Sequence, residues 1–496
     1  MPSILALDQG TTGSTALVVH EDGTVLGRGY RELPQHFPQP GWVEHDPNDI
    51  LGVTLAAARE AIAAAGERPR GIGITNQRET VVLWDRRTLA PVARAIVWQD
   101  RRTSDRCLAL RAAGLAPFLA DRTGLVPDPY FSATKLEWLL HDRSIRTRAE
   151  RGELAAGTVD SWLIASLTGG RVNVTDHTNA SRTLLYALER RNWDAELLAM
   201  FGVPDGLLPT VVPSSGVVGE ADSSHLGVGL PIGGIAGDQQ AALFGQGCCA
   251  EGTAKNTYGT GAFLLLHGGD HRPRPAPGLL ATAACGRRGE PAYAVEGSIF
   301  IAGAAVQWLR DGLGLIARAS ETEALARSVP DTAGVHFVPA FVGLGSPHWE
   351  PEARGTITGI TRGTTRAHLA RAALEAIAFS TAELLDTMTG GGAAVTALRV
   401  DGGAAANDWL MQFQADVLGL PVERPDMVET TALGAAGLAG LALGIWKSPE
   451  EFLAGRRFTR FEPGMGTEER SARRAEWDRA VGTTLLWARP ERILKP

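Results

Sequence analysis

Asp8-Gln9-Gly10-Thr11-Thr12-Gly13-Ser14 lies where one apolar run gives way to the next. Two glycines free the backbone and three hydroxyls border the turn, so it can present amide and hydroxyl donors to phosphate oxygens, as an anion-binding nest does. A ligand-free Gly/Thr hairpin would have the same composition. Asp8 shifts the balance, because a carboxylate at the end of a buried strand is costly unless it meets a cation or donors. A Mg2+ ion bridging nucleotide phosphates would be such a partner. Tyr258-Gly259-Thr260-Gly261 repeats the device in the second half of the chain, and two such hairpins suggest a nucleotide clamped between domains.

Other segments carry two readings each. Asp401-Gly402-Gly403-Ala404-Ala405-Ala406-Asn407 follows an apolar strand and opens a helix, where a flat base could lie on bare backbone; a plain strand-to-helix turn reads the same. Asp238, in Gly237-Asp238-Gln239-Gln240, is either a reactive carboxylate or a helix N-cap, the commoner job. Arg78-Glu79 at a strand end is by usage a surface ion pair. Trp98, Tyr130 and Phe263 read by default as packing residues. Gly247 and Gly252 have Walker A spacing, but Thr253-Ala254 stands where Lys-Ser/Thr is required, which excludes a P-loop kinase. The protein-kinase signature set is absent too.

The elements that must hold these residues alternate between strand and helix, which makes the class α/β. Ile4 to Leu7, Ala16 to Val19 and Thr24 to Leu33 read as an antiparallel meander, the last pair joined at Asp22-Gly23. Asp46 and Pro47 open a helix that ends near Gly66. Strands follow at Gly71 to Thr75 and Val81 to Trp84, then a short amphipathic helix from Lys135 to Leu140. The second half repeats the opening, with Thr253 to Tyr258 and Ala262 to Leu266 flanking its Gly-rich turn. Beyond it come a long helix capped by Thr365 and running through Met388, a buried strand from Ala397 to Val400, and a helix from Asn407 to Leu418. Thr431 to Trp446 reads as a core helix, and Arg456 to Pro496, with Trp477 and Trp487, as a surface-docked terminal helix. At 496 residues two large domains are expected, 1–247 and 248–496, with the ligand cleft between them.

Composition excludes other classes. With 44% hydrophobic and 21% charged residues the chain is an ordinary globular protein. A net charge of -7, from 48 basic and 55 acidic residues, advertises no face for nucleic acid or an anionic membrane. The four cysteines show no metal-ligand spacing, there is no signal-peptide pattern, and no apolar run reaches membrane-spanning length, so a reducing cytoplasm is the expected setting.

The chain also resembles the FGGY carbohydrate kinase family, in its glycerol-phosphorylating members, from Leu5 to the C-terminal helix. The resemblance rests on ALDQGTT, PGWVEHDP, GITNQRET, AIVWQDRRT, DPYFSATK, GTVDSWL, TNASRT, GIAGDQQAALFGQ, KNTYGTG, AGAAVQWLRD, RVDGGAAAND and TALGAAGLAG. It implies duplicated ribonuclease-H-like domains, as in actin-like ATPases and sugar kinases, with a cleft between them. It also implies ATP-dependent phosphorylation of glycerol to sn-glycerol 3-phosphate and ADP; another member acting on a pentulose, a polyol or dihydroxyacetone is the alternative. By resemblance Arg78, Glu79, Tyr130, Asp238 and Gln239 hold the acceptor hydroxyls, and Trp98 and Phe263 flank its carbon chain. Thr11, Thr12, Gly13, Ser14, Thr260, Gly303, Gln307, Gly403 and Asn407 fall at the nucleotide. Asp8 and Asp238 are the metal-associated carboxylates for Mg2+, and Asp238 is the general base. Glycerol and ATP are the expected partners, with a homo-oligomer, dimer or tetramer, and no nucleic acid or membrane insertion. Two departures stand out: Thr15 replaces an Arg of many members, and Ala221 to Pro231 lacks the basic Gly-rich loop that binds fructose 1,6-bisphosphate in some bacterial ones.

Overall fold

Ser3–Gln9 (β1), Gly13–His20 (β2) and Val25–Glu32 (β3) form the expected antiparallel meander, with Ile4 opposite Val19 and Asp8 opposite Thr15. In this computed structural model, which describes residues 2–390 and 395–489, β1 is continuously apolar from Ile4 to Leu7 because it is covered on both sides. Leu5 and Leu7 enter one core cluster while Ile4 and Ala6 enter another, the two-residue period of a strand. Pro47–Ala65 (α1) begins as its sequence dictates: Asp46 accepts the Asn48 N–H at 2.9 Å, Pro47 fills the first helical position, and Gly66 ends the helix at φ 66°. Ile72–Asn76 (β4), Ser215–Ala221 (β5) and Leu230–Gly237 (β6) complete a six-stranded sheet in the order β5-β6-β4-β1-β2-β3.

The second sheet is built from Ala254–Tyr258 (β7), Ala262–Gly269 (β8), Leu280–Cys285 (β9), Pro291–Ile299 (β10), Leu398–Asp401 (β11), Val422–Pro425 (β12) and Phe458–Phe461 (β13), in the order β9-β10-β8-β7-β11-β12-β13. The cores of the two sheets match strand for strand. β3-β2-β1 and β10-β8-β7 are antiparallel meanders, and each continues into two parallel strands, β4-β6 and β11-β12. The duplication expected from the two hairpins is therefore present as topology.

The helices that bear on the site are Ser132–Leu139 (α2), Asp238–Gly245 (α3), Gly303–Asp311 (α4), Arg366–Thr389 (α5), Asp408–Leu418 (α6), Thr430–Ala442 (α7) and Thr467–Ala488 (α8). α5 opens on a capping box between Thr365 and His368. α7, rich in Ala and Gly, crosses from the second half to pack on the first sheet and on α3. A Cβ on Gly434 would strike the Ala241 carbonyl of α3, so the two helices meet backbone to backbone. That contact fixes the helix whose first residue is Asp238.

Three expected elements form with details that the sequence does not give. The strand expected at Val81 to Trp84 forms as Val82–Asp85 and pairs with Leu154–Gly157, outside the six-stranded sheet. The helix expected at Lys135 to Leu140 forms as α2 but starts three residues earlier, and Lys135 is fully buried, donating to the carbonyls of Tyr130 (2.6 Å) and Phe131 (3.1 Å), which satisfies an ammonium far from water. In α8, Trp477 is a core residue stacked on Phe379, ring centroids 5.6 Å apart, whereas Trp487 is exposed. The last seven residues of that expected terminal helix lie outside the described residues. Among the described residues no helix is long and apolar enough to cross a membrane.

Candidate active site

The first hairpin closes through the Gly10 N–H, which donates to the Gly13 carbonyl at 2.9 Å. Gly13 is required there because a Cβ would meet the Arg31 carbonyl and the Tyr30 ring at 2.6 to 2.8 Å. Thr12 is exposed, and the Thr11 hydroxyl accepts the Trp98 indole N–H at 2.8 Å, tying an expected acceptor-site residue to the hairpin. Ser14 departs from expectation. Strand alternation turns its side chain to the core, where its hydroxyl bonds Thr54 of α1 at 2.9 Å, so two hydroxyls and not three border the turn. Asp8, half-buried at the end of β1, has its pKa pushed up to about 7 by burial and by the charge of Asp238. Thr15 lies directly across from it on β2.

The second hairpin is the platform for α4. The Gly259 carbonyl accepts from the Gly303 N–H at 3.0 Å, and the Thr260 carbonyl from the Ala302 and Ala304 N–H groups at 2.8 and 3.1 Å. Thr260 and Gln307 are exposed beside it. On the neighbouring strand end, Gly402 adopts φ 86° and presses against the Tyr258 backbone, while a Cβ on Gly403 would meet nothing within 4 Å. The bare face anticipated for a base is thus Gly403. Asn407 is committed to structure: its Oδ1 accepts the Leu410 N–H at 2.9 Å, capping α6, and its Nδ2 reaches Thr322 at 3.4 Å.

The acceptor residues converge at the base of the cleft. Arg78 and Glu79 are not a surface pair; both are 2% exposed at their side chains. Glu79 holds φ 61° in a three-residue turn closed by Thr80 N–H to Arg78 carbonyl at 2.7 Å, backbone strain of the kind concentrated at functional sites. Ser132 at the start of α2 donates to the Glu79 carbonyl at 3.0 Å. The Arg78 guanidinium faces Asp238 Oδ1 at 3.2 Å through Nε and the Tyr130 hydroxyl at 3.4 Å. Tyr130 in turn packs edge-on against Trp98, centroids 5.6 Å apart.

Gly237, not Asp238, holds the N-cap position of α3; Asp238 is the first helical residue and its Oδ1 accepts the Gln239 N–H at 2.7 Å. Burial raises the Asp238 pKa against the opposing pull of Arg78 and of that N–H.

Three charged residues escaped the sequence reading. Glu296 on β10 is fully buried and accepts from Arg78 at 2.6 and 3.2 Å and from Arg182 at 2.8 Å; Arg182, also fully buried, donates to Glu79 at 2.7 Å. Lys255 on β7 donates to Gln239 Oε1 at 2.5 Å and to the Thr257 hydroxyl at 2.7 Å. Burial lowers its pKa to about 8 against the pull of Asp401 and Asp238. Because Lys255 occupies the Gln239 carbonyl oxygen, the amide NH2 is left as the donor. Phe263, half-buried on β8, sits opposite Thr257. The signal was available: a lone charge inside an apolar strand, as in Tyr293-Ala-Val-Glu296 or Ala254-Lys255, must have a buried partner.

Family profiles match nearly the whole of this fold. That of the FGGY family of carbohydrate kinases, N-terminal domain, covers residues 3–245, and that of the C-terminal domain covers residues 254–443. The chain belongs to the FGGY family of carbohydrate kinases. The FGGY chain is 56% identical to a glycerol kinase of Leptothrix cholodnii, over 98% of this chain and all of that one, and 55% identical to one of Polaromonas naphthalenivorans with the same coverage. The structure of Plasmodium falciparum glycerol kinase with ADP superposes with a TM-score of 0.92 at 37% identity, covering 98% of each chain. The FGGY domain pair divides the labour: the N-terminal domain carries Asp8, Arg78, Glu79, Trp98, Tyr130, Arg182 and Asp238, and the C-terminal domain carries Lys255, Thr260, Phe263, Glu296 and Gly403.

Proposed function

We propose that this protein transfers the γ-phosphoryl group of ATP to a primary hydroxyl of glycerol, yielding sn-glycerol 3-phosphate and ADP. One observation carries the reading: Arg78, Glu79, Tyr130, Asp238 and Gln239 form a compact set of donors and acceptors in the base of a cleft that has a Gly/Thr hairpin in each domain. The names of relatives 54 to 56% identical along almost the whole chain point the same way.

Glu79 and Asp238 accept from the substrate hydroxyls, while Arg78 and the Gln239 amide donate. Asp238 takes the proton of the reacting hydroxyl as its oxygen bonds to phosphorus and the bond to the β-phosphate oxygen breaks, the electron pair leaving with ADP. Burial makes Asp238 a stronger base than an exposed Asp, which suits a weakly acidic alcohol. Backbone N–H groups of the two hairpins, with Thr11, Thr12 and Thr260, orient the phosphates, and the face at Gly403 takes the adenine.

Among the described residues no cluster of three or more His, Cys, Asp or Glu is placed to hold a metal by itself. Asp8 and Asp238 nevertheless fit Mg2+, which binds through one or two carboxylates together with phosphate oxygens and water. Burial first, and the Asp238 charge second, raise the Asp8 pKa, and a cation held by the two carboxylates would offset both. Mg2+ would neutralise charge developing on the transferred group. We place the domain boundary at 247/248 and the enzyme in a reducing cytoplasm as a homo-oligomer; its four cysteines are buried and unpaired, and light scattering measures the assembly state.

A site built to satisfy hydroxyls penalises an acceptor lacking one, since its own polar groups are left unpaired. Propane-1,2-diol is expected to show kcat/KM at least about 100-fold below glycerol in a coupled ADP-release assay, on the scale of other hydroxyl-reading sites. Equal values, or a preference for xylulose, reject the glycerol assignment. Two glycines separate fold from nucleotide binding. Gly402→Ala drives a Cβ into the Tyr258 backbone from a left-handed φ and is expected to lower Tm, with a cost above about 1 kcal/mol. Gly403→Ala meets no protein atom, so Tm stays within about 1 °C while KM for ATP rises several-fold, because surface changes without strain cost little. A lowered Tm in Gly403→Ala with KM for ATP unchanged would refute the adenine placement.

A further inference from the structure

We infer that Glu296, assisted by Arg182, is a positioning residue of the acceptor site, and that through it the C-terminal domain sets the glycerol-binding geometry of the N-terminal domain. The inference rests on the glycerol reading above.

Arg78 and Glu79 belong to the first domain, but Arg78 is not held by that domain alone. Glu296 reaches Arg78 directly, and Glu79 through Arg182, from the middle of β10, where its Cα lies opposite Leu265 of β8 and Leu280 of β9 in the second sheet. Its two oxygens are both in use: Oε2 takes Arg78 Nη1 at 2.6 Å, and Oε1 takes Arg78 Nη2 at 3.2 Å and Arg182 Nη2 at 2.8 Å. Arg182 then passes the constraint on, its Nε donating to Glu79 Oε1 at 2.7 Å while its guanidinium lies 5.6 Å from the Tyr130 ring centroid and 5.3 Å from that of Phe131. Arg78, Glu79, Arg182 and Glu296 are thus a closed set of two cations and two anions, each side chain 2% exposed or less.

The geometry decides what each member can offer a ligand. A bidentate grip fixes the plane of the Arg78 guanidinium, and with Nη1 and Nη2 held by Glu296 its Nε is directed at Asp238. Burial works against the Glu296 carboxylate, but Arg182 and Arg78 outweigh it and hold its pKa down to about 2, so it is an anion at every working pH. Remove that charge and the set becomes one positive in excess. The two arginines then close on the remaining carboxylates, Glu79 and Asp238, the groups meant to face the substrate.

Steady-state kinetics of Glu296→Gln, Glu296→Asp and Arg182→Lys test this. Glu296→Gln is expected to raise KM for glycerol at least about tenfold, the loss of one charged hydrogen bond, with KM for ATP within about twofold. Glu296→Asp keeps the charge and is expected to recover part of the glycerol affinity, giving the order Glu, Asp, Gln. Arg182→Lys keeps charge but loses the planar fork that spans Glu79 and Glu296, and is expected to raise KM for glycerol alone. A purely structural role predicts a lower Tm with unchanged constants in the folded fraction. Unchanged glycerol KM in folded Glu296→Gln, equal rises for glycerol and ATP, or failure of all three variants to fold overturns the inference. If only Glu296→Gln fails to fold, a wild-type glycerol KM in Arg182→Lys overturns it. Glycerol turnover by the wild-type protein, assayed alongside, tests the underlying reading separately.

Discussion

Asp238→Asn is expected to bind glycerol and ATP within a modest factor of wild type and to transfer phosphate about 10² to 10⁴ times more slowly, the usual worth of a positioned proton acceptor. The structure makes the variant a clean one. Asn keeps the size, can still accept the Gln239 N–H at the start of α3, and leaves Gly237 in the capping position. Arg78 keeps its bidentate hold on Glu296, so removal of the Asp238 charge leaves no buried cation stranded. What disappears is the proposed base and one of the two carboxylates proposed to face Mg2+. Calorimetric glycerol titration beside kcat separates the roles. A folded Asp238→Asn protein with near-wild-type kcat would remove Asp238 from the chemistry.

Arg78→Met should be the most damaging single change to the site. Its guanidinium contacts Glu296, Glu79, Asp238, Gln240 and Tyr130, and loss of one partner of a buried ion pair costs about 3–5 kcal/mol because the other charge is left uncompensated. A Tm lower by roughly 10 °C is expected, with glycerol affinity lost. The pH dependence identifies the cause. Glu296, held down to about 2 in the folded protein against 4.5 unperturbed, contributes stability that is fully present above pH 4.5 and is lost as pH falls towards 2. Part of that contribution belongs to Arg78. The Tm gap between Arg78→Met and wild type is therefore widest at neutral pH and narrows below about pH 4. A gap that stays constant as pH falls from 4.5 towards 2 would assign the loss to packing rather than charge.

Both predictions turn on contacts between distant parts of the chain, and there sequence and structure part company. The two Gly/Thr hairpins, the capped starts of α1 and α5 and the buried strands that follow them were legible because each is decided locally, by turn chemistry, by a cap residue or by a two-residue alternation. Side-chain direction was less so. Ser14 was read as a hydroxyl at the turn, yet its register against α1 sends it to Thr54. Asn407, proposed at the nucleotide, also caps α6 through its Oδ1, a second role that the sequence leaves open. The sequence shows a short amphipathic helix at Lys135 but not the direction of its ammonium, which clamps the carbonyls of Tyr130 and Phe131.

The sequence by itself determined which segments turn, cap and alternate, and its resemblance to a family supplies the residues proposed to meet the substrate. Only the tertiary structure decided which charge is balanced by which. Arg78 lies 218 positions from Glu296 and Glu79 lies 103 from Arg182. No local pattern encodes either pairing: the first arises where β10 of the second sheet meets the turn after β4, and the second where two distant segments of the N-terminal domain pack together. A buried charge announces in the sequence that it needs a partner, and the packing of the two domains supplies the partner's identity.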